Sequence, residues 1–470
     1  AIAQYEQSRD RYQQLGKETN VANQWYNLAA CYREWGKYEE AIAAVQQDLA
    51  LREKLDDQAN IALAYYQFGR IYQAWGKYEE AIAAVQQDLA LREKLGDQAN
   101  IADAYYQFGL IYQAWGKYEE AIAQHEQSRD RYQQLGKESN VANQWYNLAA
   151  CYREWGKYEE AIAAVQQDLA LREKLDDQAN IADAYYQFGR IYQAWGKYEE
   201  AIAQHEQGRK IYQALDLIQQ EANQLSWIAG CYRDLKDYST AAEYYQKSAE
   251  QHQVTNHVES TAKKHRQLAK TQLLQAKDSS LEQAKTHCQQ ANHNLQKAIE
   301  LNTAGDYKEN LAYDHIVLAL LHSEHLRQSK SIPTISEHIA QFEQATTTAF
   351  NLFAQLGQTV DGAKENLSIA RAYLETPSLQ NLSRAEEIAR QSLQTFQTFN
   401  RKKLQAATYQ LLGEIYLAPT HRQKDHAATT AHRFLTQSLE LYQTLDIATK
   451  TAEVQQLRDE RVLLKGNSVS

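Results

Sequence analysis

The chain has 470 residues, 50 Lys and Arg against 60 Asp and Glu for a formal charge of −10, three prolines, 18 glycines and no methionine. So little proline and glycine excludes a fold of many short strands and turns, and a composition led by Ala, Gln, Leu, Glu and Lys favours helix. Residues 1–250 carry 26 cations and 38 anions (−12) and the remainder 24 and 22 (+2), which argues against general nucleic-acid binding, since that needs a basic stripe.

The chain opens with AIAQYEQ, the interior of a repeat. Together with the missing methionine, this reads as a fragment of a longer array or a processed chain. Residues 1–15 then form a second helix without its first, expected to fray or to be covered. No signal peptide is visible, and no run of 18 apolar residues offers a membrane span.

The stretch WGKYEEAIA begins at Trp35 and recurs at Trp75, Trp115, Trp155 and Trp195, each 40 residues on. A fixed period of 20 to 50 residues marks a solenoid, propeller or array. In an array each unit packs on its neighbours, so the core grows along a line. Within residues 100–139, Tyr105, Phe108, Gly109 and Tyr112 fall at i, i+3, i+4 and i+7, one face of a helix. Gly109 lets a second helix approach closely. Trp115 closes the first helix, and Gly116 ends it as a left-handed cap. The second helix begins near Tyr118 and turns Tyr118, Ala121, Ile122, His125 and Tyr132 inward. Gly136 ends it, and the next first helix starts near Asn140. The recurring stretch is thus a hairpin turn, and repeating one offset generates a superhelix.

Three further positions recur with the hairpins. Cys31, Cys151 and Cys231 share one place among apolar neighbours. With Cys288 they form no C-x-x-C pair, so they read as buried, reduced thiols of a reducing cytosol. Asp48, Asp88 and Asp168 alternate with Ser8, Ser128 and Gly208 on the second helix. A buried carboxylate needs a partner, expected to be a hydroxyl, indole or Arg of the neighbouring helix. Glu39–Glu40 and their copies lie in a first helical turn, where they favour the dipole.

The pattern Tyr105, Phe108, Gly109, Tyr112, Gly116, Tyr118 and Ala121 resembles the tetratricopeptide repeat family across 16–257. The period exceeds the usual 34 because the second helix is longer. The form ending in LALREKLGDQ (89–98) is similar to units of kinesin light chain, spindle-orientation adaptors and the sensor arrays of signalling ATPases. The resemblance implies an all-α fold: an α-solenoid, a right-handed superhelix of about ten stacked hairpins. Residues 1–257 form the regular 40-residue array and 258–470 a degenerate one. In the latter, 265–277, 308–323 and 405–418 read as first helices and 431–445 as a second. A capping helix follows around 447–464, and Pro333, Pro377 and Pro419 fall in predicted loops.

Residues 1–83 and 121–203 are one text with three changes: Tyr5 to His125, Thr19 to Ser139 and Leu63 to Asp183. The stretches 60–83, 100–123 and 180–203 differ at two positions, Leu63/Asp103/Asp183 and Arg70/Leu110/Arg190. These lie seven apart on one helical face, which the resemblance places in a concave groove, so the variation reads as groove tuning. The expected peptide-binding strip starts with Asn23, Asn143 and Asn223. It continues with Tyr26, Tyr66, Tyr106, Tyr146 and Tyr186, their neighbours Asn27, Gln67, Gln107, Asn147 and Gln187, and Trp227. Arg33, Arg153 and Arg233, with Gln73, Gln113 and Gln193, extend it. Amides can pair with an extended backbone, tyrosines give rigid contact area, and arginines clamp carboxylates.

No phosphate loop and no nucleophile elbow is present. His322 and His325 stand at i, i+3, and His287, Cys288 and His293 are close in sequence. They read as surface or core residues, with no metal and no cofactor expected. The expected function is a non-enzymatic, cytoplasmic scaffold that takes an extended peptide or helical segment of a protein partner, one bearing carboxylates. Two other readings are the sensor array of a larger signalling ATPase or caspase-like protease, and a designed or consensus-like stacking module with no ligand.

Overall fold

Residues 1–357, 360–399, 401–419, 426–445 and 447–466 are described in the computed structural model, and every regular element among them is a helix. They divide into two compact units. The first, residues 1–155 and 159–176, holds α1 (Ile2–Gln14), α2 (Glu18–Glu34), α3 (Tyr38–Lys54), α4 (Gln58–Trp75), α5 (Tyr78–Leu95), α6 (Gln98–Trp115), α7 (Tyr118–Gln134), α8 (Glu138–Trp155) and α9 (Tyr158–Lys174). Even-numbered helices are the first members of hairpins and odd-numbered ones the second.

Each first helix starts and stops for local reasons. The Asp57 and Asp97 carboxylates accept from the Asn60 and Asn100 backbone N–H at 3.3 Å, capping α4 and α6. At the far end Gly76 and Gly116 both take φ +78°, a left-handed cap that costs glycine nothing. Gly69 and Gly109 have another use. A Cβ on Gly69 would lie 2.5 Å from Val85 Cγ2, and one on Gly109 2.6 Å from the His125 ring. Their absence of side chain is what allows the second helix to seat. On α7 the buried residues are Tyr118, Ala121, Ile122, His125, Ser128 and Tyr132, the expected inward stripe with one serine added.

The repeated turn also locks one hairpin to the next. The Trp75 ring stacks on Tyr38 of the preceding hairpin at 5.7 Å and 22°, and Trp115 on Tyr78 at 5.7 Å and 20°. Lys77 and Lys117 cover the other faces, each Nζ 3.4 Å from the ring centre, a cation–π contact. Trp35 has only Lys37, at 4.0 Å, and stays 64% exposed. The stretch WGKY therefore supplies cap, stacking ring, cation and partner ring in four residues.

The second unit, residues 156–158 and 177–470, holds α10 (Gln178–Trp195), α11 (Tyr198–Ala214), α12 (Ile218–Asp234), α13 (Tyr238–Val254), α14 (Val258–Lys277), α15 (Leu281–Ala304), α16 (Lys308–Gln328), α17 (Ile332–Gln355), α18 (Val360–Glu375), α19 (Leu382–Thr398), α20 (Lys402–Leu417), α21 (Ala427–Thr444) and α22 (Ala448–Gly466). With α1 as a leading half-repeat and α22 at the end, the described helices make ten hairpins. Ile316, Phe342, Ile369, Leu412 and Phe434 belong to the largest core cluster here. Pro377 opens a short 3₁₀ turn and Pro419 sits in a turn after α20, as expected. Pro333 does not lie in a loop. It occupies the first turn of α17, where a missing N–H costs no hydrogen bond.

The recurring aspartates differ from expectation in one respect. Asp48, Asp88 and Asp168 are buried, and each pairs with an arginine of its own helix, Arg52, Arg92 or Arg172, at 3.1 Å. The i, i+4 spacing puts the guanidinium within reach without help from a neighbour. Burial nevertheless pushes the Asp48 and Asp88 carboxyls up to about 6. Where Ser128 and Ser248 replace them, the hydroxyls donate to the Ala102 and Ala222 carbonyls at 2.8 and 2.6 Å.

Candidate binding face

The expected strip lies along the first helices, and each unit is taken separately. In the first unit Asn23, Asn143 and Arg70 are exposed. Tyr26, Asn27, Arg33, Leu63, Tyr66, Gln73, Asp103, Tyr106, Leu110, Gln113, Tyr146, Asn147 and Arg153 are half-buried. Gln67 and Gln107 are buried at 2% exposure. These two amides bridge first helices: Arg33 Nη1 donates to Gln67 Oε1 at 3.3 Å, and Gln107 Nε2 to Gln73 Oε1 at 2.6 Å. Both bonds join residues 34 apart. Gln67, Gln107, Gln73 and Arg33 thus hold hairpin to hairpin. Burial, then the nearby Arg70 charge, lowers the Arg33 pKa.

The variable position at 63 and 103 has partners inside its hairpin. Asn23 accepts from Arg52, Asp103 from Tyr132, and Asn143 from Arg172, always 29 residues on. Opposite Leu63 stands Arg92, which turns instead to Asp88 at 3.1 Å and Asp97 at 3.4 Å. Asp at this position thus goes with Tyr on the second helix, whereas Arg there goes with Asn at 23 and 143 and with Leu at 63. Arg70 makes no hydrogen bond or ion pair among the described residues and is exposed, so its guanidinium remains open to solvent.

In the second unit Gln187 is buried and Asn223 exposed, with Asp183, Tyr186, Arg190, Gln193, Trp227 and Arg233 half-buried. Asp183 accepts from Tyr212 at 2.5 Å. Arg190 is already engaged, donating to Tyr186 Oη at 2.7 Å and lying 4.4 Å over Trp227. The buried His205 stacks on Trp227 at 14°, and its Nδ1–H donates to Gln224 Oε1 at 2.8 Å. Burial holds it neutral, its pKa down to about 4. Arg233 donates to Gln267 at 3.1 Å, again 34 residues on.

A pocket of about 580 Å³ opens here, bounded by α10, α12 and α14. Lys263, Lys264 and Arg266 line it beside Arg233. They lie beyond Arg233, the end of the expected strip. The run KKHR at 263–266 was the available signal, since earlier copies carry neutral or acidic residues at these positions. Past the pocket the first helices are laced together. Lys270 pairs with Glu365 at 2.5 Å, Arg371 with Glu414 at 2.8 Å, and Gln410 donates to Glu453 at 2.8 Å.

Among the described residues no group of three His, Cys, Asp or Glu side chains is arranged to hold a metal ion. His322 Nδ1 meets His338 Nδ1 at 3.3 Å, and His325 stacks on His338 at 4.9 Å. His287 meets Gln290 at 3.4 Å, and His293 is exposed. Cys151, Cys231 and Cys288 are buried free thiols raised by burial to about 12, 12 and 11, while Cys31 is half-buried. No helix among the described residues is long and apolar enough to cross a membrane.

The tetratricopeptide repeat model matches residues 20–94, 60–134 and 140–214. No curated protein matches the sequence. Among solved structures, aspartyl phosphate phosphatase F from Bacillus subtilis is similar at 14% identity and TM-score 0.50, over 81% of this chain and 94% of that one. A putative kinesin light chain with nearly identical TPR-like repeats from Podosopora anserina is similar at 22% identity and TM-score 0.37, over 42% and 97%. A signal transduction ATPase with numerous domains and a tetratricopeptide repeat sensor, from Pyrococcus horikoshii, gives 16% identity and TM-score 0.46, over 71% and 48%.

Proposed function

We propose that this chain, whose residues 20–134 and 140–214 match the tetratricopeptide repeat model, is a non-enzymatic scaffold whose first-helix row takes an extended peptide or helical segment of a protein partner. The observation that carries this reading is the contrast along the row. Many polar groups there are engaged, either bridging hairpins or bonding within one, yet Arg70 stands exposed and without a hydrogen bond or ion pair among the described residues. Beside it the Tyr66 and Tyr106 side chains are half-buried. Tyrosines spaced one per hairpin suit a long ligand, and a free guanidinium favours a carboxylate on it. Buried reduced thiols support a cytoplasmic location.

The reading is tested by capturing partners on wild-type and Arg70→Ala arrays. Loss of one charge-assisted hydrogen bond should weaken a carboxylate-bearing partner by about 1.5–3 kcal/mol. The melting curve should hardly move, because Arg70 is exposed and makes no hydrogen bond or ion pair among the described residues. Arg190→Ala is a poorer probe, since Arg190 also braces Tyr186 and Trp227. Full retention of every partner by Arg70→Ala overturns the reading.

A further inference from the structure

Resting on that reading for what carries the ligand, we propose that the pocket between α10, α12 and α14 is a phosphate-monoester site with the Lys264 ammonium as its main ion-pair partner. Four cations line it, Arg233, Lys263, Lys264 and Arg266, against one carboxylate, Asp183. That excess is anomalous in a chain of net charge −10. Three of the cations have partners. Arg233 bonds Gln267 at 3.1 Å and Asp234 at 3.4 Å. Arg266 pairs with Asp314 at 3.1 Å. Lys263 pairs with Glu259 at 2.7 Å, a surface contact screened by water.

Lys264 has no hydrogen bond or ion pair among the described residues. Burial, followed by the charges of Lys263 and Arg266, pushes its pKa down to about 8. A half-buried ammonium with cationic neighbours and no anion is costly, and a bound anion removes the cost. The residues one, two and three periods earlier are Gln224, Ala184 and Gln144, all neutral, so the stacking itself does not require a lysine.

The charge excess selects the anion. A carboxylate brings one negative charge, whereas a phosphate monoester brings 1.5–2 at neutral pH and three acceptor oxygens. A lysine serves such a group as a point charge, and arginine N–H groups supply direction. A volume of about 580 Å³ holds the phosphoryl group with the side chain bearing it. Two sources share this chemistry: a phosphorylated side chain on the partner segment, or a small free phosphate ester.

The test is a ³¹P and fluorescence titration of the full chain with four probes. These are inorganic phosphate, O-phospho-L-serine, an alanine heptapeptide with a central phosphoserine, and its aspartate twin. The phosphoserine peptide should bind on the order of tenfold tighter than the aspartate twin. Lys264→Gln, which restores the residue found at 224, should erase that preference without lowering the melting temperature. Equal binding of the twins, or a preference that survives Lys264→Gln, overturns the proposal. Tighter binding of the peptide than of O-phospho-L-serine assigns the site to a partner segment, and equal binding assigns it to a free ester. Phosphate binding lost in Lys264→Gln, with partner capture indifferent to Arg70→Ala, leaves the site standing and removes only the groove reading.

Discussion

At the scale of single residues, two kinds of buried group pull the pH dependence in opposite directions. Asp48 and Asp88 ordinarily titrate near 3.8 and are raised to about 6 by burial. Between those values the folded chain holds protons that the unfolded chain has released. Their contribution is full below 3.8 and is lost as pH rises through about 6. His125 and His205 do the reverse. Burial lowers them from 6.5 to about 4, so their contribution is full above 6.5 and lost as pH falls to 4. Asp48→Asn/Asp88→Asn should therefore lose more stability than wild type between pH 7 and pH 5, read as the slope of melting temperature against pH. A second residue-scale prediction concerns Asp56, at φ +52°, where the next copy has Gly96 at φ +68°. A side chain in the left-handed region costs about 1–2 kcal/mol, partly offset by the greater chain entropy of glycine. Asp56→Gly should raise stability by about 0.5 kcal/mol, measured by chemical denaturation.

At the scale of elements, an apolar and a polar kind of hairpin joint stand side by side in the regular array. The apolar kind sets Val45 and Val85 on the second helix in the same clusters as Ala64 and Ala104 of the next first helix. The polar kind puts His125 there, its Nδ1–H donating to Gln144 Oε1 at 3.0 Å. His125→Val alone strands the Gln144 amide, and Gln144→Ala alone strands the imidazole. Each should cost about 1–3 kcal/mol. The double change recreates the Val85–Ala104 joint and should recover most of the loss, read by hydrogen exchange of α7 and α8. The change was legible as text, since Gln replaces Ala at 144 and 224 where His replaces Val at 125 and 205. Their contact was not, because pairing across 19 residues requires the offset between hairpins. The same limit explains the groove amides. Gln67 and Gln107 sat at the right periodicity for a binding face, but their bridges across 34 residues appear only once the stack is built. Helix faces, caps and close-packing glycines were legible because they follow from neighbours within one or two turns. The Asp48–Arg52 pair is equally local, its i, i+4 spacing needing no neighbouring helix.

Over the molecule as a whole, near-identical text meets different surroundings. α1 and α7 differ by one residue over their common stretch, Tyr5 against His125. Yet α7 buries six side chains and α1 none. Protection from exchange follows burial and local contact rather than helix propensity. Hydrogen exchange should open α1 well before α7, and equal protection in a monomer would contradict the stacking account.

The two-joint code has a genetic consequence. Residues 1–83 and 121–203 repeat one text at an offset of 120. Unequal crossing-over between them deletes or inserts 120 residues at a time. Joining Glu40 to Ala161, for example, writes a seam already present at Glu160–Ala161. After the seam His205 keeps Gln224, and before it the text of α1 and α2 is unchanged. Such a gene can lengthen or shorten its product by three hairpins in one event without having to evolve a new interface.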